Sequence, residues 1–243
     1  TYPTLNVPYV GFKGDWDDAP VFDSPMWEDD TFYGYTTVVS GDGWDYYYLS
    51  ENPDELYFSP NGDWIFDEAI PQVSLLRNAK RIKISVLDEN HKELKTIRTE
   101  NNVTKNYYDS GYEDGYYLNP QWGWDGTVNG EVVEDGLYYL KLEGTIDYPG
   151  AEPDTLLLPI RVDNTAPDLN VSFDKETNTV YADVSDAGSG VAYWDIYVDG
   201  ESILGDGFLT EEDTEYQIPK VLKEDQTLLV VAFDNVGNFS VEV

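Results

Sequence analysis

The segment Arg81-Ile82-Lys83-Ile84-Ser85-Val86 decides the fold class of this chain. Its apolar residues occupy every second position, which is the pattern of a β-strand with one face buried and one face in water. The polar stretch Asp88-Glu89-Asn90-His91-Lys92 follows, and a second strand-like segment continues to Thr99. Asp, Asn and Glu clusters of this kind favour turns. The sequence therefore predicts a β-hairpin over residues 81–99.

The same alternation recurs along the chain, whereas helical periodicity is nearly absent. Further period-two segments are centred on Leu140, Ile160 and Ala182, with Gly, Asn, Asp and Pro turns between them. Strands in series without intervening helices are typical of antiparallel β-sandwiches. We therefore predict an all-β chain of tandem Ig-like sandwiches.

A domain boundary is expected at Val162-Asp163-Asn164-Thr165-Ala166-Pro167, where a strand ends and a short polar segment with proline begins. This boundary predicts one sandwich over 56–163 and a second over 164–243. Residues 1–55 carry twelve acidic residues against the single Lys13 and have few strand-like runs. Because so short a segment cannot bury its own core, we interpret 1–55 as the end of a preceding domain plus an acidic connector.

The charge balance restricts the partners of the protein. Fourteen Lys and Arg oppose 48 Asp and Glu among 243 residues, for a net charge of -34. Such a chain repels nucleic acid and anionic membrane surfaces, and no apolar run has the length of a membrane span. The absence of cysteine fits a reducing cytosol or the outside of a Gram-positive cell. The acidity favours the outside, so we expect a secreted or cell-wall-associated protein.

The sequence contains no recognisable catalytic constellation. The single histidine, His91, lies in the predicted turn of the 81–99 hairpin, and a serine protease needs a histidine held beside its nucleophile. Asp109-Ser110-Gly111 matches the triplet of aspartic proteases, but no second copy supplies the partner carboxylate that this chemistry needs. We therefore predict no catalytic residues and no enzyme activity in this chain.

Calcium is the one cofactor that the sequence suggests. Asn61, Asp63 and Asp67 place side-chain oxygens around Gly62, and calcium prefers such oxygen ligands. An equally physical interpretation is that Asn61-Gly62 forms a turn whose neighbouring Asp side chains accept backbone hydrogen bonds. Both alternatives stay open. Asp54 and Asp125 are further candidate ligands if the fold brings them near.

Two loops of the last domain allow the same two interpretations, a cation site or a hydrogen-bonded turn. Asp186-Ala187-Gly188-Ser189-Gly190 and Asp234-Asn235-Val236-Gly237-Asn238 are polar loops that could each hold a cation. Hydrogen bonding within each loop is the simpler explanation for their composition.

Trp122 and Trp124 are the candidate binding residues. They are separated by Gly123, so both side chains lie on the same side of an extended chain. On an exposed face they could stack on sugar rings or contact a protein partner. In the alternative, one ring belongs to the core and the other covers a sheet edge.

Several segments also carry a resemblance to a known family. Leu5-Asn6-Val7-Pro8-Tyr9, Ser59-Pro60-Asn61-Gly62-Asp63, Trp124-Asp125-Gly126, Val162 to Pro167 and Asp234 to Asn238 resemble, in this order, three consecutive fibronectin type III-like domains of cell-envelope subtilisin-like serine proteases. Lactocepins and streptococcal complement-cleaving peptidases are members of that family. The resemblance implies tandem Ig/fibronectin type III-like sandwiches that follow a catalytic domain and carry no catalytic residues.

The resemblance gives the leading functional hypothesis, a non-catalytic spacer and substrate-orienting region of an exported protease. Its expected partners are the catalytic domain of the same polypeptide and protein substrates or cell-surface proteins, with the chain itself monomeric. The alternative is a carbohydrate-binding or adhesin module that uses Trp122 and Trp124.

Overall fold

The structure is a computed structural model. It describes residues 56–63, 65–75, 78–104, 120–146, 153–205, 207–223 and 225–242, together with short strand segments at 22–23, 36–40, 46–47 and 117–118. The chain divides into two compact units, Thr1–Val162 and Asp163–Val243. Each unit is described by itself.

The described residues of unit 1 form twelve strands and one turn of 3-10 helix at Pro120–Trp122. The strands are β1 (Phe22–Asp23), β2 (Thr36–Ser40), β3 (Tyr46–Tyr47), β4 (Tyr57–Phe58), β5 (Glu68–Leu75), β6 (Ala79–Leu87), β7 (Glu93–Val103), β8 (Tyr117–Leu118), β9 (Thr127–Val128), β10 (Glu131–Val132), β11 (Gly136–Thr145) and β12 (Asp154–Val162).

The main sheet of unit 1 has five strands in the order β4-β12-β11-β6-β7. Its neighbours are antiparallel except for the short β4, which runs parallel to β12. Strands β6 and β7 form the predicted hairpin. Ile82, Ile84 and Val86 of β6 are all 0% exposed, so the alternation in the sequence corresponds to one buried face of this sheet.

A second sheet of unit 1 pairs β5 with β1, β2 and β8, and β2 with β3. One core lies between the two sheets and includes Phe58, Ala69, Ile84 and Leu142. Each large buried side chain of this core, such as that of Phe58, Ile84 or Leu142, contributes about 1.5–3 kcal/mol relative to an exposed one. Strands β1, β2 and β3 lie within 1–55, the segment interpreted as a preceding domain and connector, and they pair into the sheet that contains β5.

The residues of unit 2 that the structure describes form a sandwich of seven strands. Its strands are β13 (Asp168–Asp174), β14 (Thr179–Ser185), β15 (Val191–Val198), β16 (Glu201–Ser202), β17 (Glu215–Gln217), β18 (Leu228–Asp234) and β19 (Phe239–Glu242). They form a three-stranded sheet, β13-β14-β17, and a four-stranded sheet, β16-β15-β18-β19. All pairs are antiparallel.

The core of unit 2 lies between these two sheets. It is centred on Trp194, which is 0% exposed and donates from Nε1 to the Thr210 carbonyl oxygen at 2.9 Å. Val180, Ile196 and Ala232 pack into the same core. The predicted all-β fold with antiparallel sandwich architecture is confirmed. Within the described part of the chain, no helix has the length and apolar composition needed to span a membrane.

Candidate functional site

The loop at 59–67 is held together by its own hydrogen bonds. Asn61 Oδ1 accepts from the Asp63 N–H at 2.9 Å, and Asp63 Oδ1 accepts from the Ile65 N–H at 2.8 Å. Asp67 Oδ1 accepts from the N–H of Gly62 at 2.7 Å, and Gly62 adopts a φ of 84°. These bonds match the turn interpretation. A calcium ion at Asn61, Asp63 and Asp67 stays a prediction.

Asp125 is engaged with Lys95 and Thr127. Its Oδ1 lies 3.0 Å from Lys95 Nζ and accepts from Thr127 Oγ1 at 2.8 Å. Burial opposes ionisation of this carboxyl, but the hydrogen bonds from Lys95 and Thr127 prevail and lower its pKa. Asp54, the other additional ligand considered, lies outside the described residues.

Both candidate binding tryptophans are core residues. Trp122 and Trp124 are each 0% exposed. The Trp124 ring lies 5.4 Å from that of Phe58 and 5.2 Å from that of Tyr138, and its backbone forms a bridge with Ala69 of β5. The hypothesis of an exposed aromatic contact is therefore wrong, because this bridge and the preceding 3-10 turn place both indoles inside the sandwich.

His91 lies in the hairpin turn, as predicted. It has a φ of 61°, its ring meets that of Tyr139 edge-on at 4.7 Å, and its N–H donates to the Asp88 carbonyl oxygen at 2.9 Å. These contacts give the only histidine a local role in the turn. Asp109-Ser110-Gly111 lies outside the described residues.

Three aspartates from separate loops converge in unit 2. Asp163 follows β12, Asp186 follows β14, and Asp234 is the last residue of β18. Carboxylate oxygens of the three residues lie within 4.8 Å of one another. Among the described residues, this is the group of acidic side chains whose spacing suits a metal ion. We call Asp163, Asp186 and Asp234 the Asp triad.

Backbone amides of the adjoining loops hold the triad in place. Asp186 Oδ2 accepts from the N–H groups of Gly188 and Gly190 at 3.0 and 2.7 Å. Asp163 Oδ2 accepts from the Ser189 N–H at 2.6 Å. A Cβ added at Gly188 would lie 2.3 Å from Asp163 Oδ2, so the close approach of this loop requires glycine.

Asp234 is fixed by the loop that follows β18. Its Oδ1 accepts from the N–H groups of Val236 and Asn238 at 3.0 and 2.8 Å. Asn238 Nδ2 donates to Asp234 Oδ2 at 2.7 Å and to the Asp163 carbonyl oxygen at 3.0 Å. The loop hydrogen bonds expected from the sequence are therefore present, and they also orient the carboxylates toward one another.

The triad concentrates negative charge in a poorly hydrated place. Asp163 and Asp234 are 1% and 3% exposed. Burial, and then the carboxylate of Asp163, raise the pKa of Asp234 to about 6 against the hydrogen bonds from Asn238 and Val236. Burial also raises the pKa of Asp186, with Asp163 adding to the effect. Either a bound proton or a bound cation would relieve this repulsion.

The ligand chemistry of the site suits a hard cation. Calcium takes six to eight oxygen ligands from carboxylates, carbonyls and water, and the triad supplies the carboxylates. The Ser189 hydroxyl oxygen is buried without a hydrogen-bond partner, and its backbone is bound to Asp163. It is therefore a further candidate oxygen ligand.

Comparison with known proteins finds that the chain is similar to parts of bacterial proteinases. It is 26% identical over 191 residues to the PI-type proteinase of Lactococcus lactis subsp. cremoris, an alignment that covers 67% of this chain and 10% of that protein. It is 31% identical over 147 residues to the C5a peptidase of Streptococcus pyogenes, which covers 59% of this chain and 13% of the peptidase. Both of these relatives are proteinases or peptidases. The resemblance predicted from the motifs is confirmed.

The chain spans about a tenth of the length of these relatives. No protein-family model matches the sequence. The fibronectin(III)-like modules of Clostridium thermocellum CbhA align with a TM-score of 0.39 at 15% identity, covering 77% of this chain and 85% of that one. The sandwich architecture follows from the strand pairings described above.

Proposed function

We propose that this chain is a non-catalytic accessory region of an exported, cell-envelope subtilisin-like serine protease of a Gram-positive bacterium. It serves there as a spacer and helps to orient protein substrates. The observation that carries the proposal is the similarity to the PI-type proteinase and the C5a peptidase over 67% and 59% of the chain. Two consecutive β-sandwich units suit a spacer, because each unit has its own core.

The geometry of the described residues favours a non-catalytic accessory role over a catalytic one. His91 is engaged in a turn, and the Asp triad is held by backbone amides at a loop cluster. The carbohydrate-binding alternative loses its basis, because it relied on Trp122 and Trp124 and both rings are buried. We place the protein outside the cell or on the cell wall.

We propose calcium as a structural ion of unit 2, held by the Asp triad. A cation there would join the loops after β12, β14 and β18 and neutralise two buried carboxylates. The ion would stiffen the start of the unit, since Asp163 is its first residue. It would take no part in a reaction.

A competition experiment tests the substrate-orienting role. The isolated chain, added in excess to the longer protease in which we place it, is expected to slow cleavage of a folded protein substrate and to leave cleavage of a short chromogenic peptide unchanged. Serum albumin at the same concentration is the control for crowding. Hydrolysis of either substrate by the isolated chain alone would contradict the proposal, and absence of competition would reject substrate contact.

A further inference from the structure

The outer face of the four-stranded sheet of unit 2 is unusually apolar. Trp194 and Ile196 of β15 and Ala232 of β18 point into the core, so the residues that alternate with them point outward. The outward residues include Tyr193 of β15 and Phe233 of β18, which are paired in register. Phe233 is in turn paired with Phe239 of β19.

Four aromatic rings form a continuous row on this face. The Tyr193 ring stacks on Phe233 with 4.9 Å between centroids and an interplanar angle of 25°. Phe233 continues to Phe239 at 5.7 Å, and Tyr193 continues to Phe208 at 6.2 Å. We call Phe208, Tyr193, Phe233 and Phe239 the aromatic row. The row extends across the three adjacent strands β15, β18 and β19 and one loop residue, Phe208.

The row is accessible and extends over aliphatic surface. Phe208 is 64% exposed, Phe239 is 56% exposed and Tyr193 is 36% exposed. Val241, two residues beyond Phe239 on the same side of β19, is 46% exposed. Isolated exposed apolar residues are ordinary, but a contiguous patch marks an interaction surface.

The negative charge of unit 2 favours a positively charged partner for this face. Residues 163–243 contain eighteen Asp and Glu against three Lys and no Arg. Glu211 and Glu212 lie just beyond Phe208 in the chain and Glu242 lies next to Val241, and all three are exposed. A second copy of the chain would carry the same excess of negative charge, so self-association through this face is opposed.

The chemistry of the rings also restricts the kind of partner that this face can bind. Three of the four rings are phenylalanines, which offer no hydrogen bond to a sugar hydroxyl. Aromatic faces attract Lys and Arg cations as well as apolar side chains. A partner that combines basic and apolar residues would satisfy both the rings and the surrounding carboxylates.

We propose that the aromatic row binds a basic, apolar peptide segment of a partner protein, in which Lys or Arg residues alternate with apolar ones. This surface goes beyond the proposed function, because it would bind such a segment even if the chain had no part in proteolysis. Apolar side chains of the segment cover Phe208 and Phe239, while its cations lie over the ring faces and near the acidic residues beside them.

Calorimetric titration of the whole chain with a synthetic peptide of alternating Lys and Leu tests the proposal. We expect binding that weakens about tenfold or more in the double variant Tyr193→Ser/Phe239→Ser, because a few aromatic anchors carry most of the energy of such an interface. An alternating Glu/Leu peptide and an alternating Lys/Ser peptide are expected to bind at least about tenfold more weakly, since each lacks one half of the recognition.

Tyr181→Ser is the matched control. Tyr181 is 40% exposed on β14 of the opposite sheet of the same unit, so its loss removes the same side chain from another face. We expect this variant to bind the Lys/Leu peptide like the unmodified chain. Melting curves establish that the variants are folded, and Phe239→Ser alone replaces the double variant if that one is not.

Several results would overturn the proposal. They are unchanged binding by the folded double variant, an equal loss in Tyr181→Ser, and equal binding of the Lys/Ser or Glu/Leu peptide. Binding of a neutral oligosaccharide that the double variant abolishes would assign the surface to carbohydrate instead. A concentration-dependent dimer in sedimentation that the double variant abolishes would assign it to self-association.

Discussion

Asn238 donates a hydrogen bond from Nδ2 to the backbone carbonyl oxygen of Asp163 at 3.0 Å, across 75 positions of sequence. The same amide group donates to Asp234 Oδ2 at 2.7 Å. One buried side chain thus links the first residue of unit 2 to its penultimate strand. This link acts together with the backbone hydrogen bonds that orient the Asp triad.

Replacing Asn238 by Ala should destabilise the protein by about 3 kcal/mol, because two buried acceptors lose their donor and one of them is a carboxylate. Urea unfolding followed by far-ultraviolet circular dichroism measures the change. Asn170→Ala is the control, since Asn170 is exposed on β13, and it should change stability by less than about 0.5 kcal/mol. Equal effects of the two substitutions would show that Asn238 has no such role.

Trp124→Ala should cost about 3–5 kcal/mol, as expected for removal of a fully buried aromatic ring. Trp124→Phe should cost less, because it keeps a ring against Phe58 and Tyr138 and loses the hydrogen bond from Nε1 to the Thr127 carbonyl oxygen. Ile65→Ala, at a site that is 46% exposed, serves as the control. A Trp124→Ala protein as stable as Ile65→Ala would contradict the core position of Trp124.

The raised pKa of Asp234 predicts a pH-dependent stability in the presence of a chelator. The folded-state pKa of about 6 exceeds the unfolded value of about 3.9, so the native state binds more protons between these values. The contribution of this group is fully present below pH 4 and is lost as pH rises through 6, by at most about 3 kcal/mol. Asp163 and Asp186 face this carboxyl.

Unfolding free energies measured from pH 4.5 to 7.5 in EDTA for the unmodified chain and for Asp234→Asn test this dependence. Carboxyls with lowered pKa values, such as those of Asp174 and Asp199, act in the opposite sense. Because they are common to both proteins, the difference between the two curves isolates Asp234. Parallel curves would contradict the raised pKa.

Calcium should raise the melting temperature, because a ligand that binds only the native state stabilises it by mass action. Asp163→Asn and Asp186→Asn should lessen or abolish the rise if the ion lies in the Asp triad. Asp63→Asn and Asp67→Asn test the predicted site in the 59–67 loop in the same way. The same melting curve in calcium and in EDTA for the unmodified chain would reject a structural ion at both places.

The fold could be predicted from the sequence because strand alternation is a local property. Ile82, Ile84 and Val86 alternate in the sequence, and the same three residues form one buried face of β6. The spacing of Trp122 and Trp124 correctly indicates a shared side but does not say whether that side faces water. The backbone bridge between Trp124 and Ala69, which decides the question, joins positions far apart in the chain.

The Asp triad and the aromatic row could not be predicted from local sequence patterns. The sequence marks Asp186 and Asp234 as loop aspartates and Asp163 as part of the domain boundary. The three carboxylates lie close together because of the way in which the two sheets of unit 2 pack on each other. The aromatic row likewise depends on the registers that pair Phe233 with Tyr193 and with Phe239, which no single segment encodes.

The decisive measurement compares the longer protease in which we place this chain with a version from which residues 22–242 are deleted. We measure kcat/KM for a folded protein substrate and for a short chromogenic peptide. Deletion should lower kcat/KM for the protein substrate by about tenfold or more and leave the value for the peptide within about twofold, because remote contacts position only the large substrate. An equal loss for both substrates, or no loss for either, would contradict the proposed accessory role.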